Sequence, residues 1–100
     1  PYTTLFRSTL DFSGVVISFK RGSEYLLGHS YTILTASWTG PCANNLCEQL
    51  LFEEMTDGSD NVPRIVDGKI FWRVFYGKSK ITDHCWELNP MKTELIKAKH

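Results

Sequence analysis

Residues 67–88, DGKIFWRVFYGKSKITDHCWEL, constrain the fold more than any other part of the chain. Asp67-Gly68 and Gly77-Lys78-Ser79-Lys80 are turn sequences, since Gly and Asp tolerate the positive φ that tight reversals require. The eight residues between them, 69–76, contain no turn former and are rich in aromatic and β-branched side chains, which suits a pleated, half-buried surface. They form a strand between two hairpins, so an antiparallel meander follows. Such a strand should alternate apolar with polar. Here Ile70, Trp72, Val74 and Tyr76 share one face, while Lys69, Phe71, Arg73 and Phe75 share the other. The first is a core face, and the second mixes cations with aromatic rings.

With two unbulged hairpins, Val66 pairs with Lys69 and Tyr76 with Ile81, and cross-strand partners share a face. The core face then adds Pro63, Ile65, Ile81 and Cys85. The opposite face gathers Arg64, Lys69, Phe71, Arg73, Phe75, His84 and Trp86, with Arg73 directly opposite His84.

Upstream, residues 15–20 alternate Val15, Ile17 and Phe19 against Val16, Ser18 and Lys20, which predicts a strand entering a turn at Arg21-Gly22-Ser23. Extended chain resumes toward Trp38, with a break at Gly28, and Thr39-Gly40-Pro41 stops it. Asn45 followed by Glu48 is capping-box-like. With Leu46, Cys47, Leu50, Leu51 and Met55 near 3.6 spacing, it predicts a helix over 45–56. Asn89-Pro90 predicts the start of a short helix over 89–98, with Met91, Leu95 and Ala98 on one side. The expected fold is a single α+β domain over 1–100: an antiparallel sheet of about five strands, the main helix on its core face and the short helix closing an edge.

From residue 45 onward this order, helix, three strands, helix, resembles that of double-stranded-RNA-binding domains over about half of the chain. No basic cluster opens the last helix and the first helix is acidic, so no residue is carried over from that family.

With 42% hydrophobic and 22% charged residues the composition is that of an ordinary globular domain, and no run of eighteen apolar residues could span a membrane. The net charge is zero, which removes the global field that draws basic proteins to nucleic acid or anionic lipid. The zero is nevertheless a balance of segments. Residues 41–61 carry five acids and no base, and residues 62–100 carry eight bases and four acids. Three cysteines allow at most one intrachain bridge and leave the compartment open between a secreted mature chain and an intracellular domain. On the helical expectation, Cys47 is buried in the stripe and Cys42 with Cys85 is the better-placed bridge pair.

Candidate chemistry is sparse. Cys42, Cys47, His84 and Cys85 do not match zinc spacing, and adjacent strand residues point to opposite faces, so no metal or cofactor is expected. No catalytic residue is assigned, because the mixed face offers His84 no orienting carboxylate. The expectation is a non-enzymatic module that binds a protein partner through Arg64, Lys69, Phe71, Arg73, Phe75, His84 and Trp86, with self-association through the acidic segment as a further possibility. The alternative is a small RNA-binding or ribonuclease-like protein acting through Arg73 and His84.

Overall fold

A computed structural model describes residues 2–26, 29–56, 62–76 and 80–99, without the side chains of 2–6, 25–26 and 29–30. The described residues form eight strands: β1 (Tyr2–Phe12), β2 (Val15–Leu26), β3 (His29–Thr39), β4 (Leu46–Met55), β5 (Arg64–Val66), β6 (Lys69–Tyr76), β7 (Lys80–Leu88) and β8 (Leu95–Lys97). They make two four-stranded antiparallel sheets, β1-β2-β3-β4 and β5-β6-β7-β8, in which every paired strand is a neighbour in sequence. The sheets stack face to face, and the 40 × 30 × 18 Å envelope fits two layers about 10 Å apart.

One core joins the layers. Ile17, Phe19, Leu34, Ala36, Trp38, Cys47 and Phe52 from the first sheet meet Ile70, Trp72, Val74, Trp86 and Leu95 from the second. Phe52 stands edge-on to Trp72 with ring centroids 5.2 Å apart, a geometry that adds to the burial of the rings. Alternation produces this core directly: Ile17 and Phe19 are buried while Val16 and Ser18 are exposed, and Leu34, Ala36 and Trp38 alternate with outward-facing Thr35 and Ser37.

The α+β expectation is overturned: the described residues contain no α-helix, and the sheet expected to hold about five strands is two sheets of four. Residues 46–55 are the edge strand β4, paired along β3. A bulge explains why they also fit a helical repeat. Register shifts between Leu34 and Thr35 so that Leu51 is extra, and the buried parity moves from Cys47 to Phe52. Apolar residues in pairs, Leu46-Cys47 and Leu50-Leu51, satisfy a bulged strand as well as a helix. The expected cap is occupied otherwise. Cys42 is bonded to Cys47, and the short 3-10 turn Ala43–Asn45 between them holds Asn44 and Asn45 at φ 59°. A Cys42–Cys85 bridge is thereby excluded; Cys47 is buried, but on a strand, and Cys85 is a buried free thiol.

The second expected helix, 89–98, is a turn followed by β8. Asn89 does cap, its Oδ1 accepting from the backbone N–H of Thr93 (2.8 Å) and Glu94 (3.1 Å), but Lys92 at φ 62° reverses the chain instead of continuing a helix. With both helices gone, the likeness in element order to double-stranded-RNA-binding domains falls away. The turn expected at Arg21-Gly22-Ser23 is also absent, since β2 runs through it to Leu26; a separate reversal at Ser13-Gly14, both at positive φ, joins β1 to β2. Asp67-Gly68 is the expected two-residue reversal, with Val66 opposite Lys69. The break at Gly28, the acidic loop 57–61 and the turn residues 77–79 lie outside the described residues.

Two contacts tie the layers at the β4 edge. The Gln49 side-chain amide donates to the Leu95 carbonyl and accepts from the Leu95 N–H, both at 2.8 Å, so one side chain substitutes for a neighbouring strand along β8. Trp38 Nε1 donates to the Lys92 carbonyl at 2.9 Å over Gly40, where an added Cβ would lie 2.9 Å from that same oxygen.

Candidate functional site

The register of β6 and β7 decides which candidate residues come together. Tyr76 pairs with Lys80 rather than Ile81, across a three-residue connection, and every side chain of β7 exchanges faces relative to the unbulged expectation. Trp72 therefore stands opposite His84, and Arg73 opposite Asp83. Of the seven candidates, Arg64, Lys69, Phe71, Arg73 and Phe75 share the outer face of the second sheet, while His84 and Trp86 turn inward to the core face.

On the outer face, Arg73 Nε donates to Asp83 Oδ1 at 2.7 Å and Nη2 donates to Oδ2 at 3.1 Å, a two-pronged pair of the kind planar guanidinium favours. This hydrogen bonding, with the attraction of the carboxylate, raises the Arg73 pKa further. The Phe71 ring is only 4% exposed despite facing outward. The guanidiniums of Arg64 and Arg73 lie 5.3 and 5.6 Å from its centroid and cover it, leaving their charged heads toward solvent. Arg73 is thus committed to Asp83, whereas Arg64 makes no ion pair among the described residues. Beside them runs a groove of about 290 Å3 bounded by Val62, Arg64, Phe71, Arg73 and Phe75. Val62 (48% exposed) and Ile81 (54%) extend its apolar margin, Ile81 lying opposite Phe75. Lys69 is drawn aside by donating to the Lys99 carbonyl at 2.7 Å. Cys85 is buried next to Phe71, and its loss of hydration pushes the thiol pKa up.

On the inner face His84 stacks on Trp86 (centroids 6.0 Å, planes 16° apart), stands edge-on to Phe52 at 5.2 Å, and has Nε2 3.1 Å from Thr82 Oγ1. Burial, assisted by the nearby charge of Lys97, lowers its pKa, so the ring is neutral at pH 7. No anion-stabilising partner of the expected kind is beside it, because Arg73 points away through the sheet.

Two features escaped the sequence. One is a polar cluster inside the sandwich: Arg21, 1% exposed, places Nη2 3.5 Å from Thr32 Oγ1, whose hydroxyl lies 2.6 Å from that of Thr56; at the exposed margin, Tyr76 donates to Glu54 Oε1 at 3.0 Å. Continuing the Ile17-Phe19 parity by one step would have put Arg21 inside; the turn residues Gly22 and Ser23 hid it. The other is a trough of about 700 Å3 across the outer face of the first sheet, with Arg7 and Lys20 at one end, Ser18 and Ser37 along it and Glu48 at the other. Among the described residues no three His, Cys, Asp or Glu side chains converge as a metal site would require. Nor do the described residues contain a helix long and apolar enough to cross a membrane. No family model, curated protein or solved structure matches this chain.

Proposed function

We propose that this chain is a non-catalytic module that binds a protein partner through the outer face of its second sheet, at the groove formed by Val62, Arg64, Phe71, Arg73 and Phe75. The observation carrying the proposal is the state of Arg64. Its guanidinium is laid on the Phe71 ring, without an ion pair among the described residues, at the rim of an apolar groove. A guanidinium held in place by a ring loses little freedom on binding a carboxylate, and Val62, Phe75 and Ile81 supply area that an adjacent apolar side chain can cover. The partner is accordingly a segment that places an acidic residue beside an aliphatic or aromatic one. The ribonuclease-like alternative needs Arg73 and His84 on one face, and they lie on opposite faces.

The test is titration of the isotopically labelled chain with a synthetic peptide alternating Glu and Leu, a Lys/Leu peptide serving as control. Amide shifts confined to Val62, Arg64, Phe71 and Phe75, and lost in Arg64→Ala, support the proposal. Equal response to both peptides removes it. A single-stranded oligoribonucleotide binding the same residues with a steep salt dependence would replace it with the nucleic-acid function.

A further inference from the structure

The groove's occupant can be specified from the opposite side of the same molecule. The outer face of β4 presents Leu46, Glu48, Leu50, Glu53 and Met55, because the bulge at Leu51 lets Glu53 and Met55 take over the outward parity that Leu50 ends. All five are exposed, the three aliphatics at 46%, 53% and 49%. The strip lies at the edge of its sheet; Leu46, Glu48 and Leu50 follow one another at the strand repeat, about 6.8 Å for every second residue, and beyond the bulge Glu53 and Met55 continue the alternation of aliphatic with carboxylate. Across the molecule, the outer face of β6 alternates Lys69, Phe71, Arg73 and Phe75 at the same repeat, with Arg64 and Val62 beside it. The part of the strip over residues 46–50 matches β6 in spacing, and the two strips oppose in charge.

Resting on the function proposed above, we infer that the groove takes the β4 strip of a second copy of this chain, with Leu50 against Val62 and Phe75 and a carboxylate of Glu48 or Glu53 at Arg64. Like-with-like pairing is disfavoured, since two β4 strips would oppose carboxylates and two grooves would oppose guanidiniums. The contact is heterologous. Strip and groove lie on opposite faces of the sandwich, so each added copy leaves one of each open and assembly proceeds stepwise with concentration instead of stopping at a two-fold dimer. A single strand on a groove is smaller than a standard stable interface, which makes the association weak and sensitive to screening.

The experiment is sedimentation velocity of the full chain over a hundredfold concentration range. Weight-average sedimentation coefficients should rise with concentration at about 10 mM salt, where charges act over about 30 Å, and stay flat at about 1 M, where they act over about 3 Å. Arg64→Glu alone and Glu48→Lys with Glu53→Lys alone should each remain monomeric, with circular dichroism unchanged because all three side chains are exposed. An equimolar mixture of the two variants should restore concentration-dependent association with the two variants alternating, since the reversed strip fits the reversed groove and the unaltered strip fits the unaltered groove. A wild-type chain monomeric throughout, association that survives Arg64→Glu, or no recovery on mixing overturns the inference. If the wild-type chain stays monomeric yet binds the Glu/Leu peptide at Arg64, self-pairing is excluded while the partner-binding function stands. Failure of both ends both.

Discussion

The two sheets cover the same core with similar inner faces, and differ in what they turn outward. The first sheet, built on strands of ten to twelve residues, puts short hydroxyl side chains such as Ser18, Thr35 and Ser37 between its few charges. The second, on strands as short as three residues, puts Phe71 and Phe75 there with Arg64 and Arg73. Nothing in the packing of the core demands this. An outward Phe in the first sheet would be as compatible with Ile17 and Phe19 beneath, so the aromatic and cationic outer face of the second sheet is a property added to the fold rather than required by it.

Substitutions can break that contrast or sharpen it. The largest effect is expected inside: Trp72→Ala, at a fully buried site, should cost about 3 to 5 kcal/mol in denaturant unfolding, with Phe19→Ala in the same range. Unequal costs would mean that one sheet carries the core alone. Replacing Cys42 and Cys47 by Ser should cost about 2 kcal/mol by the loop-entropy relation for so short a closure, and should loosen the first sheet's β3–β4 end selectively in hydrogen exchange. Gln49→Ala removes both bonds to Leu95 and should cost about 1 to 2 kcal/mol, with faster exchange confined to β8 and its β7 partners.

The fourth expectation concerns pH. A histidine whose folded-state pKa lies below its unfolded value, about 6.5, contributes stability that is intact above that value and is lost as pH falls through the folded value. Wild-type Tm should therefore decline from pH 7 toward pH 5 more steeply than that of His84→Phe; identical slopes would place His84 in water. The smallest effects belong to the outer faces, where Ser37→Ala and Arg64→Ala should each shift stability by less than about 1 kcal/mol. If only Arg64→Ala weakens peptide binding, the contrast between the sheets is functional as well as compositional.

Legibility in the sequence followed the same division. β6 and its inner residues Ile70, Trp72 and Val74 were readable because Asp67-Gly68 fixes the register locally. β7 was not: three connecting residues instead of the four assumed reverse its faces, which hid the Arg73–Asp83 pair and sent His84 and Trp86 inward. β4 was misread because a bulge breaks the period of two just where Leu50-Leu51-Phe52 also satisfies a helix, and Leu, Glu and Gln favour the helix locally. Pairing with β3 and the Cys42–Cys47 bond override that preference. Of the outer cluster, the part on β5 and β6 was visible and the part assigned to β7 was exchanged.

Among the described residues all strand pairing is between sequence neighbours, and the first sheet is complete at Met55 before any strand of the second has been made. At a synthesis rate of about 5 to 20 residues per second, the roughly 40 residues that finish the second sheet take about 2 to 8 s to appear. Throughout that interval Phe19, Leu34, Trp38 and Phe52 have no opposing layer to cover them. A newborn chain of this architecture therefore presents a broad apolar sheet to the ribosome exit region for seconds, and its yield in a cell should depend on whatever shields that surface until Trp72 and Trp86 arrive.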